Sequence, residues 1–193
     1  MKIPFDPTSL GLPSAMIYLY DGDNTIVEMD NSGNVLTKFT EGNHVDEWFA
    51  EMQSGTTTYY EIDGGDSVTS LSSGLGALTN TYTFDSLGNL TNFTGTLSNP
   101  FRYTGREFDS ETSLNFYRAR YYDQNVGRFI SEDPIGFGSG THFYKYARNN
   151  PVLLDDPFGL WTTTGYGPQP GASSIVCDGL GGILVVIGTS EDI

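Results

Sequence analysis

Asp133 and Asp156 are the residues of this chain whose type and setting could do chemistry. Each opens the same pattern, Asp-Pro-x-Gly: Asp133-Pro134-Ile135-Gly136, then Asp156-Pro157-Phe158-Gly159 with Leu160 after it. Two carboxylates brought close do not both ionise easily, so one pKa rises and the pair shares a proton. The ionised member can then draw a proton from water while the protonated one polarises a carbonyl. A bond of the chain itself suits such a pair, because a tethered substrate has a high effective concentration. Taken singly, each copy reads as a turn: proline sets φ, aspartate bonds nearby backbone, and glycine completes the tight bend.

For the pair to act, the intervening chain must bring residue 156 back beside residue 133. Thr141 to Arg148 is expected to form a short helix with Phe143, Tyr146 and Ala147 on its buried side. Asn149-Asn150-Pro151 would stop it. Asp155 reads as a solvated or turn residue. Gly136 and Gly159 read as turn or close-packing positions, with an oxyanion donor among them left open.

The chain before this region alternates aromatic residues with turn chemistry. Tyr18-Leu19-Tyr20-Asp21-Gly22, Tyr60-Glu61-Ile62-Asp63-Gly64 and Tyr82-Thr83-Phe84-Asp85-Ser86 share one loose pattern, with Met29 to Leu36 related to it. Tyr82 and Phe84 fall on one face of a strand, Asp85 to Asn89 supply a turn, and Leu90 begins the return. Residues 40–55 place Val45, Trp48, Phe49 and Met52 at helical spacing but fit a strand and turn as well. From Asn115 to Tyr122, Phe116, Arg118, Arg120 and Tyr122 share one face of an expected strand and Tyr117, Ala119 and Tyr121 the other. Aromatics on both faces predict a sandwiched strand whose arginines stack on rings or pair with carboxylates. Asp123 to Gly127 then turn and Arg128 to Ile130 return. The expected fold is mainly β, built of antiparallel hairpins, with a short helix before the second Asp-Pro-x-Gly.

Composition narrows the function classes. The 193 residues suffice for a real core, and 12 Tyr and 12 Phe exclude a disordered composition. Nine Lys plus Arg against 24 Asp plus Glu give a net charge of −15, which argues against nucleic acid or an anionic membrane as partner. Cys177 is the only cysteine and His44 and His142 the only histidines, so no disulfide framework and no thiolate site is expected, and no cofactor is implied. Asp21-Gly22-Asp23-Asn24 is no EF-hand, because Ile26 and Ser32 stand where glycine and glutamate are needed. The N-terminus lacks the apolar core of a signal peptide, and Ile183 to Ile187 is too short to span a bilayer.

The ordered run Tyr103-Thr104-Gly105-Arg106, Tyr117-Arg118-Ala119-Arg120-Tyr121-Tyr122-Asp123, Gly127 to Pro134, Asn149-Asn150-Pro151 and Asp156 to Leu160 resembles the core domain of the RHS (rearrangement hotspot) or YD-repeat family. The upstream Tyr-x-x-Asp copies resemble its YD repeats, and the likeness covers about residues 17–160. It implies a piece of a β-shell whose strands spiral around a hollow chamber, closed at one end by the core domain. It also implies a toxin-carrier setting, with secretion or envelope association, and self-cleavage after the Asp-Pro-x-Gly-Leu element. Here that would cut between Leu160 and Trp161, with Asp133 and Asp156 catalytic. Gln124 and Ser113 depart from the family's usual proline and glycine, and Glu132 stands where some relatives have a basic residue.

The expected organisation is an irregular lead-in at 1–16, hairpins over 17–99, the core over 100–160, and a short variable extension over 161–193. That extension lacks any nucleophile–base set, so no toxin activity is expected of it. The likeness is to the C-terminal part of a truncated member. A closed shell needs more strands than this length supplies, so open strand edges are expected, to be covered by neighbouring shell segments or other chains. The rival readings are a structural or surface-interaction module without cleavage, and a degenerate remnant of a longer carrier protein.

Overall fold

A computed structural model of the chain describes residues 16–22, 24–139 and 141–160, together with the strand backbones at 163–164, 174–177 and 183–186. Eight strands follow one another in a single antiparallel meander: β1 (Ile17–Asp21), β2 (Asn24–Met29), β3 (Val35–Glu41), β4 (Trp48–Gln53), β5 (Thr56–Ile62), β6 (Val68–Ser73), β7 (Leu78–Phe84) and β8 (Leu90–Thr94). Each strand pairs with the next, so spatial order repeats sequence order.

One turn design recurs along this sheet. Asp85 Oδ1 accepts from the N–H groups of Leu87 and Asn89, both at 2.9 Å, and its Oδ2 holds the Asn89 amide at 2.9 Å. Asp30 does the same for Ser32 and Asn34 at 2.8 Å, and Asp63 caps Gly65 and Ser67 at 2.9 and 3.0 Å. Ser73 plays this part for Leu75 and Ala77. The residue three places after each cap is left-handed: Gly33, Asp66, Gly76 and Gly88 have φ of 82°, 60°, 77° and 87°. A short acceptor at one end and a tolerant backbone at the other therefore set where each strand reverses.

One face of the sheet carries Phe39, Trp48, Tyr60, Val68, Leu71 and Tyr82, and Phe101 joins them to close a first core. Trp48 stacks on Phe101 with centroids 3.6 Å apart and donates from Nε1 to the Gly105 carbonyl at 2.8 Å. The expected alternative for residues 40–55 is settled as strand and turn: β3 ends at Glu41 and β4 starts at Trp48. Packing of Trp48 on Phe101 overrides the helical spacing.

A second, four-stranded sheet has the order β12-β11-β10-β9, from β9 (Glu107–Asp109), β10 (Leu114–Tyr117), β11 (Arg120–Asp123) and β12 (Arg128–Phe129). The single strand expected over 115–122 is instead a hairpin, with Tyr117 paired to Arg120 and Arg118 at φ 52° in the bend. Its aromatic residues split between faces because the chain reverses, not because one strand is sandwiched. Tyr103, Tyr117, Tyr122, Phe129, Tyr146 and Ala147 form the second core, and Phe84 packs against both cores.

Buried Asp46, from the β3–β4 loop, ties the two sheets. It accepts from Arg106 and from Arg118, the latter at 2.9 Å, and Arg118 also reaches Asn24 Oδ1 at 2.7 Å. The helix expected over 141–148 contracts to one short 3-10 turn at Ala147–Asn149, preceded by a bridge between Arg128 and Lys145. Ala147, Arg148 and Asn149 all have positive φ, at 45°, 52° and 60°, so a regular right-handed helix does not form there. After it come β13 (Leu154–Asp155), β14 (Thr163–Thr164), β15 (Ser174–Cys177) and β16 (Ile183–Val186), paired as two hairpins.

Candidate functional site

The hairpin of β10 and β11 builds the site. Its bend presents Arg118, Ala119 and Arg120 to the second Asp-Pro-x-Gly, and three successive carbonyls there accept from three successive residues. Arg118 Nη1 donates to Pro157 O at 2.6 Å, Ala119 N to Phe158 O at 3.2 Å, and Arg120 Nε to Gly159 O. Arg118 also lies over the Phe158 ring, 4.9 Å from its centroid. Gly159 is needed at this contact. Its φ is 64°, and a Cβ would stand 2.5 Å from the Tyr117 carbonyl oxygen.

Arg120 is the hub. Its Nη2 meets Asp133 Oδ2 at 3.3 Å and Asp156 Oδ2 at 3.1 Å, so both predicted aspartates converge on one nitrogen. Nη1 donates to the Phe143 carbonyl at 3.1 Å, and the guanidinium carbon lies 3.7 Å from the centroid of the Phe129 ring. Burial pulls the Arg120 pKa below its ordinary value, while Asp133 and then Asp156 push it back up. The side chain remains a cation under any ordinary condition.

The two Asp-Pro-x-Gly copies are used alike. Each aspartate carbonyl accepts from the glycine N–H of its own copy, at 2.9 Å for Gly136 and 3.0 Å for Gly159. Each Oδ1 caps a nearby amide at 2.9 Å: Ile135 for Asp133, Leu160 for Asp156. Each Oδ2 faces Arg120. The turn reading and the clustering therefore hold together. Both glycine N–H groups close turns, which is the role expected of them.

Asp133 is 8% exposed and Asp156 2%. Asp155, expected to be solvated or in a turn, is buried in β13, because Leu154 and Asp155 pair with Thr164 and Thr163. That pairing places the Leu160–Trp161 bond in the connection between β13 and β14. Trp161 lies outside the described residues, as do residues 1–15. Glu132 accepts from the Tyr144 hydroxyl at 3.1 Å. Gln124 bonds Asn115 at 3.0 Å and the Ser113 carbonyl at 2.9 Å, so the two departures in the cassette meet in one contact.

Sequence reasoning found both carboxylates but not their hub. Alternation placed Arg118 and Arg120 on one strand face, whereas the hairpin gives them separate work on the second Asp-Pro-x-Gly. The signal available was the spacing of two arginines around a small residue, Arg118-Ala119-Arg120, next to a doubled acidic turn. Among the described residues no group of three His, Cys, Asp or Glu side chains is placed to hold a metal ion, and no helix is long and apolar enough to cross a membrane.

Comparison with known proteins adds a context. The tRNA nuclease WapA of Bacillus subtilis (strain 168) is 32% identical over 153 residues, which is 75% of this chain and 6% of that protein. Toxin protein Tse5 of Pseudomonas aeruginosa is 46% identical over 61 residues, 32% of this chain and 5% of that protein. The crystal structure of TcdB2-TccC3-TEV matches 76% of this chain and 8% of its own, with a TM-score of 0.62 at 23% identity. This chain thus spans a small fraction of each relative's length. No family model matches it.

Proposed function

The chain belongs to the RHS family, and from that premise we propose that this structural β module cuts its own backbone between Leu160 and Trp161, with Asp133 and Asp156 as the acting carboxylates. The convergence of both carboxylates on Arg120 Nη2, with Asp156 also holding the Leu160 N–H, carries this reading. Two carboxylates and one cation leave one negative charge uncompensated, which is the condition for a general base. Both carboxylates hold an amide and Arg120, and Asp133, 8% exposed against 2% for Asp156, is the more accessible to water and is assigned the base.

The step is a hydrolysis. A water oxygen adds to the Leu160 carbonyl carbon while its proton passes to Asp133. The carbon–nitrogen bond to Trp161 then breaks, and the carboxyl pair returns a proton to the departing nitrogen. Arg120 holds the Gly159 carbonyl one residue upstream, so it fixes the strand that presents the bond. In this reading residues 17–99 furnish shell hairpins, 100–160 the closing core, and 161–193 the released segment after a lead-in at 1–16. Neighbouring shell segments or other chains cover the free edges of β1 and β8, and the whole assembly serves as a toxin carrier.

One observation favours a second reading without chemistry. Both carboxylates already serve two donors, an amide at Oδ1 and Arg120 at Oδ2, which suits a lock that fastens the second Asp-Pro-x-Gly to the core. Asp133→Asn and Asp156→Asn separate the two readings. The protease reading expects folded variants that stay whole under conditions where the parent chain is cut. The lock reading expects no cutting in the parent chain and lower melting temperatures in both variants.

A further inference from the structure

Of the nine Lys and Arg residues, four arginines are engaged inside the fold. Arg106 and Arg118 hold Asp46, Arg120 holds Asp133 and Asp156, and Arg102 lies 4.4 Å from the centroid of the Phe108 ring. Three of the others, Arg128, Lys145 and Arg148, fall within one short stretch of β12 and the loop that bridges back to it. None of the three forms an ion pair among the described residues. Arg128 and Lys145, with His142, line one cavity of about 280 Å³, together with Thr141, Phe143, Tyr144 and Asn149.

This concentration runs against the rest of the molecule. In a chain of net charge −15, Arg128 and Lys145 line one concavity, and neither forms an ion pair among the described residues. The bridge between Arg128 and Lys145 brings two like charges together, and they repel one another. Two carboxylates stand near: Glu132 accepts from the Tyr144 hydroxyl, and Asp123, opposite Arg128 across β11 and β12, caps the Asn125 N–H at 2.8 Å. The backbone beside the cavity is also costly: Ala147, Arg148 and Asn149 are three successive non-glycine residues at positive φ, a region that side chains with a Cβ disfavour. That turn follows directly on the cationic stretch and sets Asn149 in the cavity wall.

We propose that this cavity is an oxyanion site, which takes a carboxylate or phosphate group between Arg128, His142 and Lys145. Guanidinium and ammonium donors form charge-assisted hydrogen bonds with such groups, and the imidazole N–H, Thr141 and Asn149 add further ones. The site is separate from the aspartate cluster but shares a wall with it. The Phe143 carbonyl, in the segment that lines the cavity, accepts from Arg120 Nη1 at 3.1 Å and from Asp133 N at 3.0 Å.

The two histidines make the test direct, because His44 lies in the β3–β4 loop and serves as an internal control. Imidazole resonances of the full chain are followed at constant pH and ionic strength in two titrations, one with inorganic phosphate and one with an Asp/Glu-rich peptide. The site predicts a saturable shift of His142 with His44 unmoved. Arg128→Gln and Lys145→Gln should each weaken it roughly tenfold, as expected for one lost charge-assisted bond. Saturation by phosphate identifies a site for a free oxyanion. Saturation by the peptide alone identifies a site for carboxylates on a docked chain. An unmoved His142 in both titrations overturns the proposal. So does a shift that His44 shares, or one that survives both substitutions in variants whose spectra remain those of the folded chain.

Discussion

At the scale of single residues, buried charge decides the design. Arg120 offsets two carboxylates that burial would otherwise penalise, and Asp46 accepts from two arginines that burial would penalise in turn. Removing one partner of such a pair leaves the other uncompensated, at a cost of about 3–5 kcal/mol. Arg120→Gln should therefore lower stability by about that amount near neutral pH. Denaturant melts of the parent chain and the variant near neutral pH measure this, and equal stabilities would count against the hub role.

Glu51 gives a second residue-scale prediction. It is buried on the core face, where its Oε2 accepts from the Tyr60 hydroxyl at 2.7 Å and its Oε1 from Thr58 at 3.2 Å. Burial, opposed by those hydrogen bonds, raises its pKa from 4.5 to about 7. Burial, reinforced by the carboxylates of Asp155 and Asp46, raises Asp66 to about 6. A carboxylate raised on folding contributes stability below its unfolded pKa and loses it as pH rises through the folded one. The melting temperature should thus fall between about pH 5 and 7.5, and Glu51→Gln should flatten that fall. A parent chain whose melting temperature rises over this interval would contradict the assignment.

At the scale of elements, the hairpins were legible and the connections between distant residues were not. Tyr82, Phe84 and the Asp85 to Asn89 turn declare their hairpin because alternation and turn chemistry are local. The two Asp-Pro-x-Gly copies declare their turns for the same reason. The Arg118–Ala119 bend was hidden, because a non-glycine residue at φ 52° leaves no mark in sequence and the aromatic run continues through it. The short helix before Asp156 failed in its expected length, because apolar spacing over 141–148 does not report that Lys145 bridges to Arg128. The meeting of Asp133 with Asp156 followed from a resemblance and a doubled motif. Arg120 between them required the fold.

The recurring turn carries its own prediction. Gly33 and Gly88 occupy equivalent places with positive φ, but a Cβ at Gly33 meets nothing within 4 Å, whereas one at Gly88 would lie 2.5 Å from the Tyr103 ring. Gly33→Ala should cost about 1 kcal/mol, the penalty of a side chain in the left-handed region. Gly88→Ala should cost a further 1–3 kcal/mol or so, because the turn there is packed against the second core. Equal losses in urea melts would mean that the β7–β8 turn does not seat on Tyr103.

At the scale of the whole molecule, a long sheet and a small aromatic core are fastened by a few polar links, and the last of these links grips the peptide that precedes Trp161. Phe84, packed on both cores, and Asp46, bonded to Arg106 and Arg118, make the sheet and the core one unit. The pairing of β13 with β14 joins both sides of the Leu160–Trp161 bond, so a cut there need not release the far segment at once. A gel under native conditions would miss it. Intact mass under denaturing conditions tests the central claim most directly, on the purified 193-residue chain incubated between about pH 4 and 8. The account predicts two products, one ending at Leu160 and one starting at Trp161, and none from Asp133→Asn or Asp156→Asn. A folded chain that keeps its full mass through days of incubation across that range contradicts it.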